Sequence, residues 1–164
     1  MENNASDTLM FKQHDAINML EQSELEAARL YDMFSRWFPE LASFWVARAR
    51  EEREHAGIIH SFGKNLQSNT CDLGGHEFKI VEIKHWLKKI RNNLDYMKKL
   101  DHYDHDLSAA YSLAVELEEG LLEHHLFGVD SCGSDDLKSM LKRLRADTAV
   151  HLEMFKKGYQ QVQV

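Results

Sequence analysis

Arg50-Glu51-Glu52-Arg53-Glu54-His55-Ala56-Gly57-Ile58-Ile59 is the stretch on which the reading of this chain turns. As a run of charges it reads as the wet side of a helix. At about 100° per residue, however, Glu52 and His55 lie on the line through Trp45 and Ile59, and Glu51 and Glu54 do not. Leu41, Ala56, Phe62 and Leu66 share that side. The spacing Glu-x-x-His puts a carboxylate and an imidazole one turn apart on one face. On an apolar face both are costly unless they are paired or hold a metal.

Upstream, Pro39 cannot continue a helix but suits the first turn of the next one. A first helix from about Gln13 to Phe38 therefore gives way to a second that ends near Gln67. So short a joint makes an antiparallel hairpin. Ile17, Leu20, Glu24, Ala27, Ala28, Tyr31 and Phe38 fall on one side of the first helix, so Glu24 also sits in an apolar stripe. Downstream, SNTCDLGGH at 68–76 reads as loop. Residues 79–100 form a Lys-rich amphipathic helix whose stripe is Ile80, Ile83, Trp86, Leu87, Ile90 and Leu94. A helix from about Asp104 to Phe127, a loop GVDSCGS at 128–134, and a helix from Asp135 to Gln161 complete the chain. Two hairpins joined by a long connection are the crossover layout of the ferritin-like four-helix bundle. The expected fold is all-α, one ferritin-like domain over residues 1–164. The helix at 79–100 either caps that bundle or serves an interface.

Composition agrees. The 164 residues suit one domain. A hydrophobic content of 43% excludes a disordered chain, while 29% charged residues and a single proline favour long helices over turn-rich β-structure. A net charge of −7 argues against a nucleic-acid surface. No run approaches the roughly 20 apolar residues that span a bilayer, and Met1–Met10 lacks the apolar core of a secretory signal. A cytoplasmic protein is expected, with no membrane partner. Cys71 and Cys132 are too few and too far apart for a Cys-x-x-Cys centre, and free thiols are the default. The topology nevertheless ends the second and third bundle helices at the same end, which leaves open an approach of these two thiols.

With that layout, the segments Glu24-Leu25-Glu26-Ala27-Ala28-Arg29-Leu30-Tyr31 and Glu51-Glu52-Arg53-Glu54-His55-Ala56 resemble the rubrerythrin and ferritin-like di-iron family. The resemblance implies that Glu24, Glu52 and His55 are metal ligands and that Tyr31 hydrogen-bonds beside a ligand or the bound oxygen species. The second hairpin is expected to repeat the pattern. Glu116-Leu117-Glu118-Glu119 echoes the Glu24 segment, and Glu116 keeps phase with Ala109, Leu113, Gly120 and Phe127. Glu116 is therefore the expected third-helix ligand, with Glu119 and Glu123 on the same edge, and Glu118 is expected to point elsewhere. Glu119 and Glu123 read equally well as a solvated face. His151 lies on the stripe of Leu137, Met140, Leu144 and Phe155 and matches the family's fourth-helix His. Three residues earlier, where the family has Glu, this chain has Thr148, and Asp147 beside it is the substitute.

Of the other histidines, His124 faces roughly inward near its helix end, and His76, His85, His102 and His105 belong to the connection and its surface. The resemblance implies two iron ions per chain, with manganese or zinc as substitutes, and oxidation of Fe(II) or reduction of peroxide or oxygen. No rubredoxin-like segment is present in these residues, so peroxide reduction would draw on a separate electron donor. A homodimer is expected. Thr148 keeps a rival reading open, in which the bundle has lost productive metal chemistry and acts as an interaction module.

Overall fold

Phe38 and Pro39 break the first hairpin as their chemistry requires. Phe38 leaves the helical region at φ −122°, ψ 75°, and Pro39 opens a three-residue 3-10 turn, Pro39–Leu41. In this computed structural model the described residues are 3–67, 80–100, 106–124 and 135–163. They form α1 (Asn3–Trp37), α2 (Ala42–Gln67), α3 (Ile80–Met97), α4 (Leu107–His124) and α5 (Asp135–Val162), with no strand among them. α1 starts well before Gln13 because residues 3–12 contain neither Gly nor Pro to stop it. The loops at 68–76 and 128–134, with Cys71, Cys132, His76, His102 and His105, lie outside the described residues, and so does any pairing of the two thiols.

α1 packs along α2 and α4 along α5, and the two hairpins meet through α2–α5 and α1–α4 contacts. This is the all-α, ferritin-like bundle expected from the sequence. α1, α2 and α5 carry the same layers, met in reverse order along antiparallel α2. In α1, buried Ile17 and Leu20 precede Glu24, and Tyr31 and Phe34 follow it. In α2, Trp45 and Ala49 precede Glu52 and His55, and Ile59 and Phe62 follow. In α5, Leu144 lies before Thr148 and His151, and Phe155 after. The aromatic layer is dense: Trp45 stacks on Phe155 at 5.5 Å between ring centroids, and Tyr31 lies 5.3 Å from Phe155 and 5.8 Å from Trp45. A polar layer is thus enclosed between aliphatic and aromatic ones.

α3 closes the side of the bundle against α1 and α4. Trp86, Ile90, Leu94 and Met97 join the main hydrophobic cluster. Arg91 of α3 reaches Glu26 of α1 at 3.2 Å, and Lys89 pairs with Glu116 of α4. The extra helix, α3, therefore caps its own bundle. The Trp86 indole lies so close to Gly120 that a Cβ there would overlap its ring. Gly120→Ala is expected to push α3 off α4 and to cost about 1–3 kcal/mol. A thermal melt should show Tm falling by about 2–12 °C, whereas Gly57→Ala, where a Cβ meets nothing, should not lower it.

Candidate metal centre

Five ionisable side chains meet in the polar layer: Glu24 from α1, Glu52 and His55 from α2, Glu118 from α4 and His151 from α5. The three carboxylates are wholly buried and the two histidines 3% exposed. They form two trios, Glu24–Glu52–His55 and Glu52–Glu118–His151, and within each trio one donor atom per residue lies within 4.8 Å of the others. Glu52 belongs to both. His55 Nδ1 lies 3.0 Å from Glu52 Oε2 and 4.0 Å from Glu24 Oε2. His151 Nδ1 lies 2.8 Å from Glu52 Oε1 and 3.7 Å from Glu118 Oε1. The two imidazole rings are nearly parallel, 5.7 Å apart.

Hydrogen bonds account for only part of this layer. The Tyr31 hydroxyl donates to Glu118 Oε1 at 2.6 Å and so ties the first hairpin to the second. Glu52 Oε1, Glu118 Oε2 and His151 Nδ1 have no aligned hydrogen-bond partner, although each is buried. All three belong to one trio. Buried polar groups are rarely left unsatisfied; here a buried imidazole meets two buried carboxylates in short but poorly aligned contacts, a donor set that suits a cation between them. Two carboxylates and an imidazole per trio, with one carboxylate shared, are donors that fit divalent iron, manganese or zinc.

Protons substitute for cations in the metal-free layer. Burial raises Glu24 well above the carboxylate range, and the Glu52 charge adds to that. Burial and Glu52 likewise push Glu118 up to about 7, against the hydrogen bonds from His151 and Tyr31. Glu52 goes the other way: burial opposes its charge, but His151 and His55 together hold it well below the usual range. Burial also opposes the charge on His151, yet Glu118 and Glu52 outweigh it and hold the imidazolium up to about 10. For Tyr31, burial and then Glu118 keep the phenol protonated, which suits a donor.

The sequence brought Glu24, Tyr31, Glu52, His55 and His151 to this layer. It misplaced the third-helix carboxylate. Glu116 is exposed, on the α3 side of α4 with Leu113 and Trp86, where it pairs with Lys89. Glu118 occupies the centre. The reason is that α4 has two apolar faces. Leu113 and Gly120, used to set the phase, turn toward α3, while Tyr111, Ala114, Glu118 and Leu121 line the bundle interior. That second stripe, at i, i+3, i+7 and i+10, was the available signal. Glu119 is also outside, paired with Lys156 of α5 at 3.0 Å.

Asp147 enters neither trio. Its side chain is 40% exposed and faces the far side of His55, with Oδ2 3.6 Å from Nε2 and 3.5 Å from Arg143 Nε. Thr148 is buried and donates to the Leu144 carbonyl at 2.9 Å, a bond internal to α5. The side chains of Glu123, His124, Leu137 and Met140 lie outside those described, and His85 is exposed.

A bundle of two helical hairpins with a buried carboxylate–histidine layer defines the ferritin-like class of proteins whose core groups could bind a metal. The sequence matches the Rubrerythrin family model over residues 19–159, and the chain belongs to the rubrerythrin family. No curated protein and no solved structure matches it. Among the described residues no helix is long and apolar enough to cross a membrane.

The His151 proton sets a pH dependence with a definite sign. A metal on Nδ1 must displace a proton that the metal-free site retains up to about pH 10. Apparent affinity for a divalent ion is therefore expected to rise between pH 6 and 9, by about tenfold per pH unit for each proton displaced. Titration calorimetry in two buffers of different ionisation enthalpy should show proton release. An affinity that does not change over that range would contradict the assignment.

Proposed function

We propose that this chain binds two iron ions in its polar layer and uses them to oxidise Fe(II) or to reduce peroxide or oxygen. The observation that supports this most strongly is the sharing of Glu52 by two ligand trios. A carboxylate has two oxygens, and those of Glu52 are divided between His55 and His151. Glu52 would therefore be a ligand to both metal ions.

Bound iron would supply the electrons, cycling between Fe(II) held by imidazole and Fe(III) favoured by carboxylate oxygen. The chain's own residues set the conditions. Glu24 and Glu118 close the two trios from opposite hairpins. Tyr31 occupies Glu118 Oε1 with its proton and leaves Oε2 for the trio. The aromatic layer of Trp45 and Phe155 keeps water from that side. The other side of the two histidines is reached from solvent through a cleft of about 430 Å³ between α2 and α5, lined by His55 and His151. A small reactant has a way in there. We place the protein in the cytoplasm as a homodimer, with a separate electron donor when peroxide is the oxidant.

Thr148 favours a second reading. It stands where the resemblance calls for a fourth-helix carboxylate, and its hydroxyl is spent on Leu144. A bundle short of one ligand fits a single metal, or none and a role in binding partners. Anaerobic Fe(II) reconstitution followed by an oxygen pulse separates the readings. About two irons per chain and a fast visible absorbance change are expected for the wild type. Glu118→Ala should lose about half the iron, Glu52→Ala nearly all, and Glu116→Ala none. No iron in the wild type would leave the interaction module.

A further inference from the structure

The outward edges of the two histidines are not alike. His151 turns Nε2 into the cleft between α2 and α5, where Glu51 Oε2 lies 2.7 Å away. Glu51 is itself fixed: Arg48 Nη2 donates to Glu51 Oε1 at 2.8 Å. That guanidinium is also placed from two other sides, with Nη1 3.4 Å from the Met154 sulfur and its carbon 5.8 Å from the Phe44 ring centre. The line Arg48–Glu51–His151 therefore runs from α2 across the cleft and ends on the trio of Glu52 and Glu118. Among the described residues His55 has no equivalent. Its Nε2 faces Asp147 at 3.6 Å, beyond hydrogen-bond reach, and Asp147 is shared with Arg143.

We infer that Glu51 is a positioning residue for one of the two metal positions: it holds the Nε2–H of His151 so that the Nδ1 lone pair points at Glu52 and Glu118. The inference rests on the two-metal reading and goes beyond it, because it makes the two positions unequal and assigns the difference to a side chain on the cleft. A carboxylate that accepts from the far nitrogen of a ligand histidine fixes its tautomer and ring plane, and its loss costs about 10–100-fold in metal affinity. Here the effect falls on the Glu52–Glu118–His151 trio alone. Glu51 makes no contact with Glu24 or His55 among the described interactions, so the other trio is left as it is.

Co(II), whose visible absorption reports its ligand field, is the probe. Titrated into the metal-free wild type, it is expected to fill two sites. In Glu51→Ala one site should weaken about 10–100-fold, with changed absorption for that ion, while the other stays within about twofold. Glu51→Gln should stay close to the wild type, because its amide oxygen accepts the same hydrogen bond. Should Glu51→Ala not fold, Glu51→Asp, which draws the carboxylate back by one methylene, must weaken the same single site. A wild-type isotherm for Glu51→Ala, equal weakening of both sites, or Gln behaving as Ala would overturn the inference while the two-metal reading stands. A wild type that takes up no Co(II) would overturn both.

Discussion

The Glu52 carboxylate, wholly buried and within 3.0 Å of both His55 Nδ1 and His151 Nδ1, is the contact on which this structure depends. An ion pair in a bundle core is expensive to assemble, and removing one partner leaves a buried charge at a cost of about 3–5 kcal/mol. The fold answers with layers. Aliphatic side chains lie on one side of the polar groups and stacked aromatics on the other, so water cannot dissolve the cluster from within. Tyr31 then links Glu118 to the first hairpin, which fixes the two hairpins against each other by a polar bond as well as by apolar contact. Three of the donor atoms still lack an aligned hydrogen bond, and poorly aligned polar contacts at this depth suit a binding site better than a core optimised for stability.

The two hairpins are chemically near-repeats. Glu24 of α1 corresponds to Glu118 of α4, and His55 of α2 to His151 of α5. The repeat fails at one place, where Glu52 corresponds to Thr148. Glu52 is left as the carboxylate common to both trios, and the opposite corner of the layer holds a hydroxyl bonded to its own helix. The failure makes Glu52 indispensable to both trios. It also makes the placing of each histidine matter more, since each trio has only three protein donors. The hydrogen bond from His151 to Glu51, braced by Arg48, gains its importance from that shortage.

Much of this was legible in the sequence because the relevant helices have one apolar face each. On α1 and α2 the phase through Ile17, Leu20 and Tyr31, and through Trp45 and Ile59, singles out Glu24, Glu52 and His55, and the charged run around Glu52 hides nothing once the 100° step is applied. α5 is likewise one-sided, and His151 follows from Leu144 and Phe155. α4 is different. It faces the bundle centre with Tyr111, Ala114 and Leu121 and faces α3 with Leu113 and Gly120, so two phases are apolar and the acid on the wrong one, Glu116, looked like the ligand. The inserted helix, known from sequence only as an amphipathic stripe, is what creates the second face. Glu51 was not legible at all: its role comes from α5 crossing α2, a distance of 100 residues along the chain.

If Glu52 joins two metal positions into one centre, the magnetism of the loaded protein must show it. Electron paramagnetic resonance of the Mn(II)-loaded protein is the measurement, because two Mn(II) ions sharing a carboxylate are exchange-coupled. Broad, temperature-dependent signals of a coupled pair are expected at full loading, and Glu52→Ala, which retains almost no metal, should lose them. A fully loaded wild type that shows only the six-line pattern of isolated Mn(II) would contradict it, and would mean that the two trios never act as one site.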